Sequence, residues 1–250
     1  MFGGFVGRPA ELHELQKCAA RVKSGDPQLV FVEGVPGIGK TSLLAQFTAT
    51  LSGWRHIVVT AYEDEKRLPF GVLTRLLSAG SAADPHPEPI MIDPIVLGAE
   101  LLQLLGDLEQ SAPVAVVIDD VPWADPQSLR ALTFALRRLQ GERVLVVLTM
   151  RSDDMSHLPP GLLHYGRDRA TRIRLSGLTT DEICELFRQQ DQGQLPRRAA
   201  ERLRVHTAGS PLHLRALFQE LPVAELVRTR GPLPAPSSYA NLVLLSLIHI

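Results

Sequence analysis

Val30-Phe-Val-Glu-Gly34-Val-Pro-Gly37-Ile-Gly39-Lys40-Thr41-Ser42 is the stretch whose reading decides the fold. It fits G-x-x-x-x-G-K-[ST], a pattern in which a glycine-rich loop cradles phosphates, but one short enough that its surroundings must decide. Before it lies an apolar run, Leu29 to Val32, that reads as a buried strand. After it, Thr41-Ser-Leu-Leu-Ala-Gln-Phe47 carries apolar residues at helical spacing. Strand, glycine loop and helix are what phosphate chemistry requires. Glycines let successive backbone N–H groups turn inward, and the helix N-terminus adds partial positive charge. Lys40 has the reach for β- and γ-phosphates, and the Thr41 hydroxyl suits Mg²⁺. Gly34, Val35, Pro36, Gly37, Ile38, Gly39, Lys40, Thr41 and Ser42 are therefore the candidate phosphate site. The alternative is a plain Gly/Pro turn between a strand and a helix, with a solvated lysine; the full motif in that context favours the phosphate site.

The same alternation continues outward. Val114-Ala-Val-Val-Ile-Asp119-Asp120 is a continuous apolar run ending in two carboxylates, as expected of a strand buried on both faces of a parallel sheet. Val144 to Thr149 is a second such run, with Arg151 just past its end, and His56–Thr60 and Thr171–Leu175 are shorter ones. Helices are expected after Pro9, with Leu12, Leu15, Ala19 and Val22 on one face, over Pro69–Leu77 and over Ile95–Glu109. Asp125-Pro126 reads as the N-cap and first residue of another, running to about Leu139. Strands alternating with helices predict a three-layer α/β fold around a parallel sheet. Beyond Ser176 the strands stop, and Thr179–Gln190, Pro196–Thr207 and Pro211–Leu221 read as three helices of a small lid. The expected organisation is a core over 1–175, a lid over 176–230 and a Pro/Ser-rich linker over 231–244. Residues 81–94, rich in proline, read as a loop.

Bulk properties narrow the class. A chain of 250 residues with 45% hydrophobic and 21% charged content has ample material for a core. Its net charge of −1 lacks the footprint of a nucleic-acid-binding surface. Cys18 and Cys184 fit no metal spacing, and a reducing cytoplasm is the simplest setting. The most apolar stretch, Ile90 to Leu105, is interrupted by Asp93, Pro94 and Glu100 and does not read as a membrane span. Met1-Phe-Gly-Gly shows no export signal. One back-translation of Leu245-Ser-Leu-Ile-His-Ile250, CTG TCT CTT ATA CAC ATC, is similar to the transposon end used to tag sequencing libraries. Residues 245–250 are accordingly expected to be an artefact, with the natural chain continuing beyond about Leu244.

A phosphate loop needs a carboxylate at the end of a neighbouring strand to hold Mg²⁺ through its waters, and Asp119 is placed for that. Asp120 is then the candidate base for an attacking water. With these residues assembled, a resemblance emerges. Phe5-Val-Gly-Arg8, Gly34 to Thr41, Val117-Ile-Asp-Asp-Val-Pro-Trp-Ala-Asp125, Thr149-Met-Arg151 and Gly209-Ser-Pro211 occur in that order. Together they resemble the ATPase domain of the signal-transduction (STAND) class of P-loop NTPases. The version most similar is the AAA-type module at the N-terminus of large LuxR-family bacterial transcriptional regulators. The resemblance spans about residues 3 to 244.

What it implies is a P-loop NTPase sheet of AAA+/STAND type with a helical lid, binding ATP or ADP with Mg²⁺. Val6, Gly7 and Arg8 would lie against adenine and ribose, Gly209 and Pro211 would bring the lid backbone to the base, and Arg151 would sense the γ-phosphate. Lys40, Asp119, Asp120 and Arg151 form the implied catalytic set, with Thr41 and Asp119 as metal ligands. Trp123 reads as packing and Asp125 as a cap. The glycine loop keeps the family's G-x-x-G-x-G-K pattern through Gly34, Gly37 and Gly39. The tandem Asp119-Asp120 departs from the glutamate of efficient ATPases, which implies slow turnover and a switch closed with ADP and opened by ATP plus a signal. Implied partners are nucleotide, an effector, a second copy in the ATP state, and DNA only through a C-terminal helix-turn-helix beyond the chain. No membrane is implied. Leu233 to Val243 resembles the entry to the winged helix that follows such lids.

Two other readings stand beside it. The module is also compatible with a place in front of a nucleotide cyclase or protein kinase. An AAA+ ATPase acting directly on DNA would need a basic surface and a second arginine sensor in the lid, for which Arg197, Arg198, Arg202 and Arg204 are candidates. A metabolic phosphotransferase would need an acceptor-binding element, and none is recognisable.

Overall fold

Five apolar runs become strands: β1 (Gln28–Glu33), β2 (Arg55–Thr60), β3 (Val114–Asp119), β4 (Val144–Met150) and β5 (Ala170–Arg174). They form one parallel sheet in the order β2-β3-β4-β1-β5. These relations come from a computed structural model that describes residues 5–80, 93–190 and 193–227. The expected linker over 231–244, the tail over 245–250 and all but the last two residues of the 81–94 loop lie outside the described residues.

Every residue of β3 and β4 is buried, which explains their unbroken apolar sequences. β2 lies at an edge and alternates instead, with Ile57 and Val59 buried and Val58 exposed. The helices are α1 (Pro9–Lys23), α2 (Lys40–Thr50), α3 (Gly71–Gly80), α4 (Pro94–Glu109), α5 (Pro126–Leu136), α6 (Pro160–Arg169), α7 (Thr180–Arg188), α8 (Arg197–Thr207), α9 (Pro211–Glu220) and α10 (Val223–Val227).

The chain folds as two compact units. The first, Ala10–Glu33 with Leu44–Arg174, is the sheet and its helices. On one face Phe31, Ile118 and Leu148 pack with Leu101 and Leu105 of α4 and Leu132 of α5. Full burial of each such side chain contributes about 1.5–3 kcal/mol. Gly98 allows α4 to come against α5, since a Cβ there would meet the Ala131 carbonyl at 2.8 Å. On the opposite face, Cys18 of α1 donates to Thr171 Oγ1 of β5 at 3.6 Å. Helices on both faces make three layers.

The α3 helix begins two residues later than its sequence suggests. Phe70 adopts φ +60° and gives its N–H to Asp125 Oδ1 at 2.9 Å, so helical geometry starts only at Gly71. The α6 helix had no expectation attached to it, because only Leu162 and Gly166 of its ten residues are buried and the apolar period is too sparse to read.

The second unit comprises the described residues among Met1–Pro9, Gly34–Leu43 and Leu175–Ile250. Its core is formed by Leu178, Ile183, Phe187, Leu203, Leu214, Leu217 and Phe218. Phe187 and Phe218 meet edge to face, with ring centroids 5.1 Å apart. α7 starts with a capping box: Thr179 Oγ1 accepts from the Glu182 N–H, and the Glu182 carboxylate accepts from the Thr179 N–H at 2.7 Å. Val6 packs on this core from the N-terminal segment.

Candidate functional site

The phosphate loop runs from Gly34, directly after β1, to Lys40, the first residue of α2. Gly34 has no room for a side chain, since a Cβ would meet Ile38 Cγ2 at 2.7 Å. Gly37 takes φ +72°, left-handed backbone that glycine tolerates best, and a Cβ there would meet Leu212 at 2.9 Å. Lys40 is buried, and its Nζ donates to the Gly34 carbonyl at 2.8 Å and to the Val35 carbonyl at 3.4 Å. The ammonium is thus held across the loop's own mouth, where a bound anion would meet it. Ile38 is buried; Val35, Pro36, Thr41 and Ser42 are exposed. The Thr41 and Ser42 side chains therefore stand open to solvent in the first turn of α2, where N–H groups lack intrahelical acceptors.

Two further segments of the same unit grip this loop. Arg8 is buried with φ +66°, and its Nη2 donates to the Ile38 carbonyl at 3.1 Å. Its neighbour Gly7 also has positive φ, +72°, and a Cβ at Gly7 would run into the Glu182 carboxylate. The Gly209-Ser-Pro211 turn lies against the loop as well. Both the Ser210 hydroxyl and the Leu212 N–H donate to the Gly37 carbonyl, each at 3.3 Å. The Gly209 carbonyl accepts from Leu178 at 2.8 Å, and Pro211 opens α9. Ser210 and Leu212 were not singled out by sequence reading. The signal available for Ser210 was its position as an N-cap before Pro211, where a short hydroxyl side chain is favoured.

The carboxylates belong to the sheet unit. Asp119 ends β3, and its Oδ1 accepts from the Thr149 hydroxyl of β4. Asp120 follows with φ +54°, and its N–H donates to the same Thr149 oxygen at 2.7 Å. One fully buried hydroxyl therefore donates to one aspartate and accepts from the next. Arg151, just past β4, has its guanidinium 5.9 Å from the Trp123 ring centroid and its Nε 3.9 Å from Asp154 Oδ2. Asp125 is almost wholly buried and accepts from the N–H groups of Phe70, Val72 and Ser128 and from the Ser128 hydroxyl. That constellation makes it a structural carboxylate.

Glu33, the residue before the loop, was not singled out either. Only 2% exposed, it accepts from Arg174 Nε at 3.2 Å, while Arg172 stands 4.0 Å away. A charged residue ending an otherwise apolar strand was the available signal.

Mg²⁺ takes one or two protein oxygens and otherwise phosphate and water, and each unit by itself offers an oxygen of that kind. Thr41 Oγ1 is exposed in the loop unit, and Asp119 is a carboxylate held by a hydroxyl donor. Among the described residues no helix is long and apolar enough to cross a membrane.

Comparison with known proteins bears on the whole arrangement. Residues 4–147 match the family described as AAA ATPase domain. Curated proteins give no match. Among solved structures, Cdc6p from Pyrobaculum aerophilum is similar with a TM-score of 0.59 and 16% identity over 86% of this chain and 61% of that one. The ORC2 protein of Aeropyrum pernix, in ADPNP–ADP complexes, is similar with a TM-score of 0.60 and 16% identity over 90% of this chain and 65% of its own. A signal transduction ATPase with numerous domains (STAND) from Pyrococcus horikoshii, with a tetratricopeptide repeat sensor, has a TM-score of 0.52 and 21% identity. It is matched over 99% of this chain and 35% of its own. At these identities the likeness speaks for the fold, and this chain spans less than two thirds of each of those proteins.

Proposed function

Because the chain belongs to the AAA ATPase domain family, we propose that it is an ATP-binding, slowly hydrolysing switch module of a LuxR-type transcriptional regulator. The observation that carries this reading is the pair of hydrogen bonds from Ser210 and Leu212 to the Gly37 carbonyl. Through them a group bound in the phosphate loop bears directly on the lid turn. A switch needs such an element, one whose equilibrium the bound nucleotide biases.

In this reading Gly34, Gly37, Gly39 and Lys40 bind the phosphates, and Val6, Gly7 and Arg8, with Gly209 and Pro211, border the nucleoside. Thr41 and Asp119 would hold Mg²⁺, which would supply charge neutralisation at the phosphates. Asp120 is the proton acceptor for the attacking water, and Thr149 sets its backbone. Arg151 responds to the γ-phosphate, leaving Trp123 and Asp154 as it does so. An effector, self-association in the ATP state, and DNA contact through a further domain complete the proposed regulator.

A direct action on DNA is less well supported by the lid. Arg197 pairs with Asp181, and Arg204 with Glu201 at 2.8 Å, so both guanidiniums are neutralised within it. The test is nucleotide content and affinity. The protein is purified, denatured and assayed for released nucleotide, then titrated with ADP and ATP in Mg²⁺, with Lys40→Ala as control. Retained ADP, or micromolar binding lost in the variant, supports the switch. Absence of binding by a folded protein refutes it and leaves an interaction scaffold.

A further inference from the structure

A second concave site lies within the sheet unit, at the edge where the strands begin. The start of β1, the segment after α5 and the last turns of α6 enclose a cleft of about 410 Å³, within the size range of small-ligand sites. The six residues of β1 put it roughly 17–20 Å of strand length away from Glu33.

Its chemistry is lopsided toward donors. Arg137 and Arg169 line it together with Tyr165, Gln28 and Gln140, and Asp26 is the single carboxylate of the lining. Among the described residues neither arginine forms an ion pair with Asp26. Arg137 commits one N–H, from Nη2, to the Gly161 carbonyl at 3.1 Å. Arg169 is held with its guanidinium carbon 6.0 Å from the Tyr165 ring centroid, an arrangement that orients the fork without using its donors. Burial pushes the Tyr165 phenol above its ordinary value, although Arg169 opposes this, so the hydroxyl remains a donor across the neutral range.

Both arginines close helices, and a cation near a helix C-terminus is favourable by itself. That role explains their charge, but not the roomy cleft between them or the lack, among the described residues, of a carboxylate paired with either. Two planar forks, a phenol and two amides facing one volume match the geometry of paired anionic oxygens.

We propose that this cleft binds a small dianion, a phosphomonoester or a dicarboxylate, independently of the nucleotide site. Arg137 and Arg169 take its two anionic ends, and Tyr165 donates to one of them.

The test uses the full chain carrying Lys40→Ala, so that the phosphate loop does not capture the probes. Phosphoglycolate, succinate and, as a monoanion control, acetate are titrated by calorimetry. Saturable binding of one equivalent of phosphoglycolate or succinate is expected, with acetate roughly tenfold weaker or worse. Arg169→Ala, at an exposed position, is expected to weaken binding by about tenfold or more, and Arg169→Lys by less because a fork is lost but not the charge. Whichever probe binds identifies the ligand class. Binding of neither, or binding that Arg169→Ala and Arg169→Gln both leave intact in a folded protein, overturns the proposal. Nucleotide affinity, measured separately on the unsubstituted loop, tells this failure apart from a failure of the switch.

Discussion

Thr149 is uncharged and has no solvent exposure, yet the backbone of Asp120 and the carboxylate of Asp119 are both tied to its hydroxyl. Replacing it by valine keeps the shape and removes both bonds, leaving a part-buried N–H and a carboxylate oxygen each one partner short. The expected cost is about 1–3 kcal/mol of stability, measured by urea unfolding. If Asp120 is the proposed proton acceptor, Mg²⁺-dependent ATP turnover should fall in the same variant by roughly tenfold or more, since a misplaced base loses most of its general-base contribution. Thr149→Ser should retain most of both. A valine variant with unchanged turnover would remove Thr149 and, with it, Asp120 from the catalytic account. At this scale the sequence was legible where a feature lies in consecutive residues: Gly34 to Gly39 form a loop between β1 and α2, and Asp119 ends β3. It was silent where chemistry lies in a contact: nothing in Thr149, Ser210 or Glu33 announces which backbone group or arginine it will meet. Such pairings depend on strand register and on tertiary packing, which a single chain does not spell out.

Elements meet through their ends in this molecule. Asp125 caps α5 at Ser128, and the same carboxylate accepts from Phe70 and Val72 at the start of α3. A cap removed to alanine ordinarily costs about 0.5–2 kcal/mol, but here one carboxylate serves two helices and further N–H groups would be stranded. Asp125→Ala is therefore expected to lose about 2–4 kcal/mol, and Asp125→Asn less, by chemical denaturation. A loss no greater than that of an ordinary cap would show that the α3 contacts contribute nothing. A second consequence concerns His213, in the first turn of α9. Burial, and to a lesser degree nearby His206, lowers its pKa below the ordinary imidazole value, while a hydrogen bond with the Thr207 backbone opposes the shift. The folded state therefore takes up the proton later than the unfolded chain on acidification. Stability from this group is full above the ordinary imidazole pKa and declines as pH falls toward the lowered one. The melting temperature should drop between pH about 7 and 5, and drop less in His213→Gln. Helix and strand identities were legible where apolar runs were unbroken, as in β3 and β4, or where a cap marked the end, as at Asp125-Pro126. The helix Pro160–Arg169 lacked both marks: its N-cap position is Pro159, without a capping side chain, and its buried residues are few. The start of α3 was misplaced because a distant carboxylate, not local propensity, sets it.

For the whole molecule, the grouping of the phosphate loop with the N-terminal segment and the helices after Leu175 is the fact from which behaviour follows. Three of the ties within this grouping are backbone carbonyls of the loop met by donors from elsewhere: Ile38 by Arg8, and Gly37 by Ser210 and Leu212. A carbonyl so held cannot reorient around a phosphate without its donors following or letting go. Nucleotide binding is thus expected to alter the opening of the lid turn as well as of the loop, a change that amide hydrogen exchange reads directly. ADP should slow exchange over 34–43 and also at Leu178 and Leu212–Leu214, whose N–H groups are bonded within this unit. Lys40→Ala should abolish both effects together. Ser210→Ala removes one of the two donors to Gly37 and should weaken the lid response while leaving loop protection largely in place. ATP in place of ADP should change the lid pattern more than the loop pattern, because the γ-phosphate adds contacts for Lys40 and so pulls on the Gly34 and Val35 carbonyls that now share its ammonium. If ADP protects the loop and leaves 175–227 unchanged in the wild-type protein, the lid does not read the nucleotide, and the switch would have to work through the sheet unit instead.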